Sequence, residues 1–290
     1  MLEHTNSIRQ DRFRSLRPLL PLCPLFAVLT AAILLWSMET VRAPVQPDEL
    51  TLHLEQVEGA PPPLVTAEQL EKMSYTDSAL GKITWSLSAE SLEELNRVLR
   101  EYDITTPEEI SQFLAQAAVE TSGGRWLTEL GEESYFQRYG YTTGTRGAGY
   151  FHLTFDYGQM AFSTWMMKKH VPALENTPYL NPTHHSKNEI REAYYRALWS
   201  AANLGVDVSR YSRIVYDTQN PAATGADYIA QFYAWESAAY YWRIAGVKEA
   251  FSSQPGVENT DIASKIVGGS NWQSRREAYA AFFPVLNDQS

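Results

Sequence analysis

Glu120 is the residue whose type and position most suggest chemistry. It follows Phe113 by seven residues in a helical pattern, which puts it about 20° from Phe113 around the axis. An acid is thereby placed on an apolar face, in the last turn of a helix. Apolar neighbours and the negative end of the helix disfavour its charged form. A carboxyl that keeps its proton is what glycoside hydrolysis requires for protonating a leaving oxygen. Two quieter readings stand beside this one. Glu120 is a solvated charge where the helix emerges, or it is paired with a buried arginine. The adjacent His184 and His185 have no acid or cysteine at ligand spacing, so no metal site is assigned.

The helix that must position Glu120 is legible from Thr106 to Gly124, TPEEISQFLAQAAVETSGG. Thr106 is an N-cap, Pro107 suits the first helical position, and Glu109 completes a capping box. Ile110, Phe113, Leu114 and Ala117 give one apolar face. Gly123 and Gly124 stop the helix. Before it, Thr66 and Gln69 box a short helix with Leu70 and Met73 inward. A second helix runs from about Ala89 to Tyr102. After it, Arg125 to Tyr150 has no clean period and reads as loops or short extended pieces. Further helices are expected from Tyr157 to Lys169, after the Ser186/Glu189 box, from Tyr228 to Ile244, from Ile262 to Val267, and from about Ser274 to Phe283 before Pro284. Residues 206–226 read as irregular. The balance is mainly α, with at most a small β piece near 145–155.

Composition is ordinary for a globular protein. A net charge of −10 disfavours nucleic acid as a partner, since that usually requires a basic face. Trp and Tyr number 8 and 17, and aromatic faces suit carbohydrate as well as a core. Cys23 is the only cysteine, which excludes an internal disulfide. Its LPLC context departs from the lipidation pattern. Residues 1–17 carry Arg9, Arg12, Arg14 and Arg17. Pro18 to Met38 then holds no charge over 21 residues, long enough to span a bilayer. The reading is a cytoplasmic tail at 1–17, a signal anchor at 18–38, a proline-containing linker at 39–63 and a folded domain at 64–290, outside the cytoplasm. The alternative is secretion after cleavage near Val41-Arg42-Ala43.

Separate stretches then point one way. SLEELNRVLREYDITTPEEISQFLAQAAVETSGG resembles the opening of glycoside hydrolase family 19 and its lysin relatives. There a helix with an FLAQ-type core ends in H-E-[ST]-G. RGAGYFHLTFDYGQ is similar to the family's G-R-G-x-I-Q-L-T-x-x-x-Y segment. ESAAYYW is similar to S-A-x-x-[FW]-W, and KIVGGSNWQSRREAY to I-N-G-G-x-N-G-x-x-x-R. The four blocks stand in family order within residues 64–290.

The resemblance implies a lysozyme-like helical fold with a cleft between two lobes. It also implies hydrolysis of β-1,4 bonds beside N-acetylated sugars, with no cofactor. By matching position Glu120 is the general acid. The general base falls on Glu129, nine residues on, as in compact lysin-like members, with Glu132 and Glu133 in reserve. The plant-like spacing lands near Thr142, which is no acid. An inverting pair stands about 6.5–9.5 Å apart, leaving room for a water. His152, where the family has Gln, together with Thr154, Tyr157, Asn271 and Arg276, becomes the substrate-binding set. Val119, Ala148, Val267 and Trp272 depart from the pattern. The expected function is a membrane-tethered hydrolase of peptidoglycan. A chitinase and an inactive glycan-binding protein are the alternatives.

Overall fold

A computed structural model describes residues 61–269 and 271–288. Its elements all belong to one of the chain's two units, Pro63–Ser290. The tail at 1–17, the apolar run at 18–38 and the linker up to residue 60 lie outside the described residues. Among the described residues no helix is long and apolar enough to cross a membrane. The domain is mainly helical.

It opens with α1 (Ala67–Lys72), a hairpin of β1 (Ser74–Asp77) and β2 (Gly81–Thr84), and α2 (Ala89–Glu101). Next comes α3 (Pro107–Thr121), which forms where its local signals put it. The Thr106 hydroxyl accepts from the Glu109 N–H at 3.2 Å, and the Glu109 carboxylate accepts from the Thr106 N–H at 3.2 Å. That box satisfies two N–H groups that the first turn would otherwise leave open. Nearly every position of α3 from Glu109 to Ala118 is buried, so it is a central helix and not a surface one.

Then follow α4 (Glu133–Arg138), α5 (Asp156–His170), α6 (Lys187–Asn203), α7 (Ser209–Ser212), α8 (Ala226–Phe232), α9 (Ala234–Ile244), α10 (Val257–Val267) and α11 (Trp272–Asn287). α11 packs along α3, and α10 packs against both. The Ser274 hydroxyl donates to Asp77 at 2.8 Å, which ties the first turn of α11 to the β1 end. Phe113 of α3 is fully buried among Phe151 at 5.0 Å, Trp242 at 5.5 Å and Trp235 at 6.0 Å between ring centres. Tyr150 stacks on Trp235 at 3.4 Å. Aromatic pairs of this kind add about 1 kcal/mol each beyond the area they bury.

The structure departs from the sequence expectations in several places, α7 within the segment 206–226 expected to be irregular among them. The β piece is the hairpin at 74–84, and residues 145–155 hold only isolated bridges, Thr128 to Ala148 and Ala148 to Leu153. Asp77 makes the hairpin turn by accepting from the Ala79 and Leu80 N–H groups at 2.8 and 3.0 Å. The aromatic run from Tyr228 breaks at Tyr233, where φ is −141°. At that break the Ala234 carbonyl accepts from the Tyr150 N–H at 3.2 Å. α10 starts earlier than its apolar pattern, because polar Asn259 is buried and donates to Glu108 of α3 at 2.9 Å. α11 runs through Pro284. Both Pro284 and Ala280, whose carbonyl loses its helical donor there, face solvent, so water can replace the missing bond. Finally, α4 occupies part of a segment expected to be irregular.

α2 carries an acid that works against folding at high pH. Burial pushes the Glu94 carboxyl up to about 7; Arg97 opposes this and Glu236 reinforces it. The folded chain therefore holds this proton more tightly than the unfolded chain. The stabilisation is full below the ordinary carboxylate range and is lost as pH rises through about 7. Glu94→Gln is expected to stabilise the protein by about 1–2 kcal/mol at pH 8, allowing for partial exposure, and to change little at pH 5. Thermal melts of both proteins at the two pH values measure this. Equal gains at both would remove the titration argument.

Candidate active site

Glu120 closes α3, and α11 holds it there. Arg275 is buried; one of its terminal nitrogens donates to Glu120 Oε1 and the other to Gln116 Oε1, one turn earlier on α3. The guanidinium reaches that position only because Gly269 is a glycine. A Cβ there would stand 1.8 Å from Arg275 Nη2. The surroundings are thus not the apolar ones expected. Glu120 is paired with a buried arginine, and its ionised form has a partner. Its side chain remains 19% exposed, so the second oxygen is not sealed off.

That second oxygen faces His152. Nδ1 of His152 stands 3.7 Å from Glu120 Oε2, and its Nε2 is 3.3 Å from the Trp126 carbonyl oxygen. His152 has φ of +49°, and Phe155 has φ of +73° with ψ of 152°. Non-glycine residues pay for such conformations, and they gather at functional sites. The strain is held by ladder-like bonds, Leu153 N–H to Ala148 O at 2.8 Å and Phe155 N–H to Thr145 O at 2.9 Å.

Glu129 belongs to the same surface. Its N–H donates to the Gly147 carbonyl at 2.8 Å. Its carboxylate accepts from the buried Tyr141 hydroxyl at 2.8 Å and from the Gly147 N–H at 3.2 Å. A Cβ on Gly147 would meet His152 Cβ at 2.7 Å and Glu129 Oε2 at 3.3 Å. Glu129 and His152 therefore flank Gly147, and any side chain there would push them apart. Glu120 borders His152 and Glu129 borders Gly147, so both carboxylates lie against the strained turn at 147–155.

The other sequence candidates are placed as follows. The Thr154 hydroxyl donates to the His152 carbonyl at 2.6 Å, supporting the turn from within. Tyr157, in the first turn of α5, stacks against Phe155 at 5.2 Å under the Lys187 ammonium. Asn271 is the exposed N-cap residue of α11, and its carbonyl accepts from the Arg275 N–H at 3.2 Å. Arg276 stands apart from Glu120. It is exposed and bound to Asp261 of α10 at 2.7 Å, and the arginine that meets Glu120 is its neighbour. Successive helix residues diverge by about 100°, so only one of the two can face α3. Of the reserve acids, exposed Glu132 stands at the N-cap position of α4 without a side-chain cap bond, and exposed Glu133 accepts from the Thr143 N–H at 2.7 Å.

Sequence reasoning missed Arg275, Tyr141, Gly147 and Trp126. Arg275 precedes Arg276, which was expected as a substrate contact, and nothing in the sequence marked it as the partner of Glu120. Tyr141 and Trp126 lie in segments without a period, where nothing local marks them. Among the described residues no group of three or more His, Cys, Asp or Glu could hold a metal ion. Comparisons with protein-family models, with curated proteins and with solved structures find no match for this chain.

Proposed function

We propose that this protein is a glycan hydrolase that cleaves β-1,4 linkages beside N-acetylated sugars by an inverting acid/base mechanism, with peptidoglycan as its substrate. The observation that carries the proposal is this pair of acids. Two carboxylates, Glu120 and Glu129, are each fixed by a separate set of partners and each border one strained turn. Glu120 protonates the glycosidic oxygen, and Glu129 takes a proton from the attacking water. Trp126, 44% exposed beside His152, offers an aromatic face to a sugar ring. The resemblance of the four sequence blocks to glycoside hydrolase family 19 supports the same reading, and on that resemblance we propose a lysozyme-like, two-lobed arrangement for the helical domain.

The test is digestion of peptidoglycan sacculi and of chitin oligomers, with products identified by mass spectrometry and their first-formed anomer by NMR. An inverting enzyme acting on β bonds releases α reducing ends first. Products from chitin alone would move the assignment to a chitinase. No product from either polymer would overturn the reading.

A second reading has an observation of its own. The Arg275–Glu120–Gln116 contacts also tie α3 to α11, which is what an inactive glycan-binding protein would keep. Binding to sacculi without release of reducing ends would favour it. For the segment at 18–38 we propose a membrane anchor that leaves the domain outside the cytoplasm. The full-length chain should then stay in the membrane fraction after carbonate washing; a shortened, soluble product would mean a cleaved leader instead.

A further inference from the structure

We infer that the outer ridge of α6 is a track for an anionic glycan strand, which holds the polymer beside the strained turn at 147–155. This rests on the reading of the substrate as a β-1,4 glycan. It adds to that reading a second place of contact, outside the two carboxylates, and a reason for preferring peptidoglycan to chitin.

The ridge consists of Lys187, Arg191, Tyr195 and Trp199, which follow one another at four-residue spacing and are all exposed. Residues four apart stand one above the other on a helix and form one of its ridges. At about 1.5 Å per residue the row is about 18 Å long. The opposite face of α6 is an ordinary core face, with Ile190, Tyr194 and Ala197 buried. The outer end of the ridge is not ordinary. Tyr195 is 55% exposed, and Trp199 at 69% is more exposed than any other large apolar side chain among the described residues. Single exposed apolar residues need no explanation. Two aromatic rings in register, one turn apart, present a surface that the core does not use.

The inner end of the row begins at the candidate site. Lys187 Nζ stands 5.0 Å from the ring centre of Tyr157 and 5.7 Å from that of Phe155. Phe155 closes the strained turn that Glu120 and Glu129 border. Arg191 comes next and donates to Asp156 at 3.2 Å. The row therefore leaves the turn as two cations and continues outward as two aromatic rings. Asp156 takes up part of the Arg191 charge. Among the described residues no carboxylate pairs with Lys187.

Each part of the row matches a part of one polymer. The C–H face of a sugar ring packs on an aromatic face, and the indole N–H and phenol O–H at its edge reach sugar hydroxyls. The stem peptides of peptidoglycan carry carboxylates. Lys187, Arg191 and exposed Arg196, three residues before Trp199, offer them cations on a chain whose net charge is −10. Local charge of the opposite sign steers and retains such a strand. The shape disfavours other occupants. A protein partner covers about 800 Å² on each side, which a row one side chain wide does not present. A bilayer surface takes a broad apolar face, and here exposed Glu192 stands at the edge, three residues before Tyr195. A strand held on the row has a raised effective concentration at the turn, so one glycan is cut repeatedly before it is released.

The test uses the full-length chain in its Glu120→Gln form, so that polymer is bound and not cut, and follows co-sedimentation with peptidoglycan sacculi and with chitin. Replacing Tyr195→Ala and Trp199→Ala together should weaken binding to sacculi by about tenfold or more, as the loss of two aromatic anchors does. The thermal melt should not move, because both rings are exposed. Lys187→Gln should weaken binding to sacculi more than binding to uncharged chitin. Unchanged binding in the double variant would overturn the track. Equal losses on both polymers in Lys187→Gln would overturn the anionic strand. Two other results would assign the ridge to a different occupant. One is quenching, in vesicles of brominated phosphatidylglycerol, of the fluorescence that Trp199→Ala removes. The other is a dimer in sedimentation equilibrium that the double variant loses. Digestion of sacculi by the unaltered chain tests the hydrolase reading separately. If that chain cuts nothing and the double variant binds less, the hydrolase reading fails and the track stands. If it cuts sacculi and the double variant binds equally, the track fails and the hydrolase reading stands.

Discussion

Glu120→Gln is expected to fold like the parent and to lose hydrolysis by about 10²–10⁴-fold, the range a general acid supplies. The substitution is chosen for what it leaves in place. The amide oxygen of Gln still accepts from Arg275, so the tie between α3 and α11 survives. A charge-assisted bond becomes a neutral one, costing about 1 kcal/mol of stability. What disappears is a proton that can be handed to a leaving oxygen. Glu120→Ala would be a poor control, because it strands the buried Arg275 charge and confuses lost chemistry with lost packing. Release of reducing ends from sacculi, with a thermal melt alongside, separates the two effects. Undiminished activity in Glu120→Gln would remove Glu120 from the mechanism. A lowered melting temperature in a chain that was never active would leave it as a structural tie.

α3 was legible because its signals are local. Thr106, Pro107, Glu109 and the spacing of Ile110, Phe113 and Leu114 act within a few residues of one another, and the helix spans nearly the range they mark. The same holds for the boxes at Thr66 and Ser186. The sequence also offered an arginine partner for Glu120 as one reading, without naming the arginine. Naming Arg275 as that partner needs the rotation of α11 about its axis, which is fixed by Ser274 on Asp77 and by the passage that Gly269 leaves open. None of those contacts is local. Tyr141 on Glu129 and the Trp126 carbonyl on His152 are likewise long connections through aperiodic chain. The break at Tyr233 and the early start of α10 have the same origin. A packing partner, Tyr150 in one case and Glu108 in the other, decides where a helix begins.

Glu236→Ala is expected to destabilise the fold by about 3 kcal/mol. Glu236 is 1% exposed, deeper than any carboxylate of the candidate site. Arg97 donates to it at 2.6 Å, the Tyr102 hydroxyl at 2.6 Å, and Lys169 completes the set. Burial pushes its carboxyl up, but the bonds from Lys169, Tyr102 and Arg97 and the Lys169 charge outweigh burial and hold it below the usual range. Truncation would leave the Tyr102 hydroxyl proton without its acceptor and take one of two carboxylates from Arg97 and Lys169, in a partly dry site. Removing one partner of such a group costs about 3–5 kcal/mol. The lower end applies, because Arg97 and Lys169 both keep Glu101 as a partner. At this chain length about 3 kcal/mol lowers the melting temperature by roughly 6–12 °C. The pH dependence carries a sign. A folded-state value below the unfolded one stabilises above the ordinary carboxylate range and is lost as pH falls through the folded value. The gap between wild type and Glu236→Ala should therefore narrow in acid, and it should also shrink as pH rises through about 7, because the variant relieves the repulsion that Glu236 exerts on an ionised Glu94. Melts from acid to alkaline pH measure both. A gap near zero at neutral pH would mean that the cost of drying Glu236, Arg97 and Lys169 cancels what their contacts return. The network would then hold α2, α5 and α9 in register without adding to their stability.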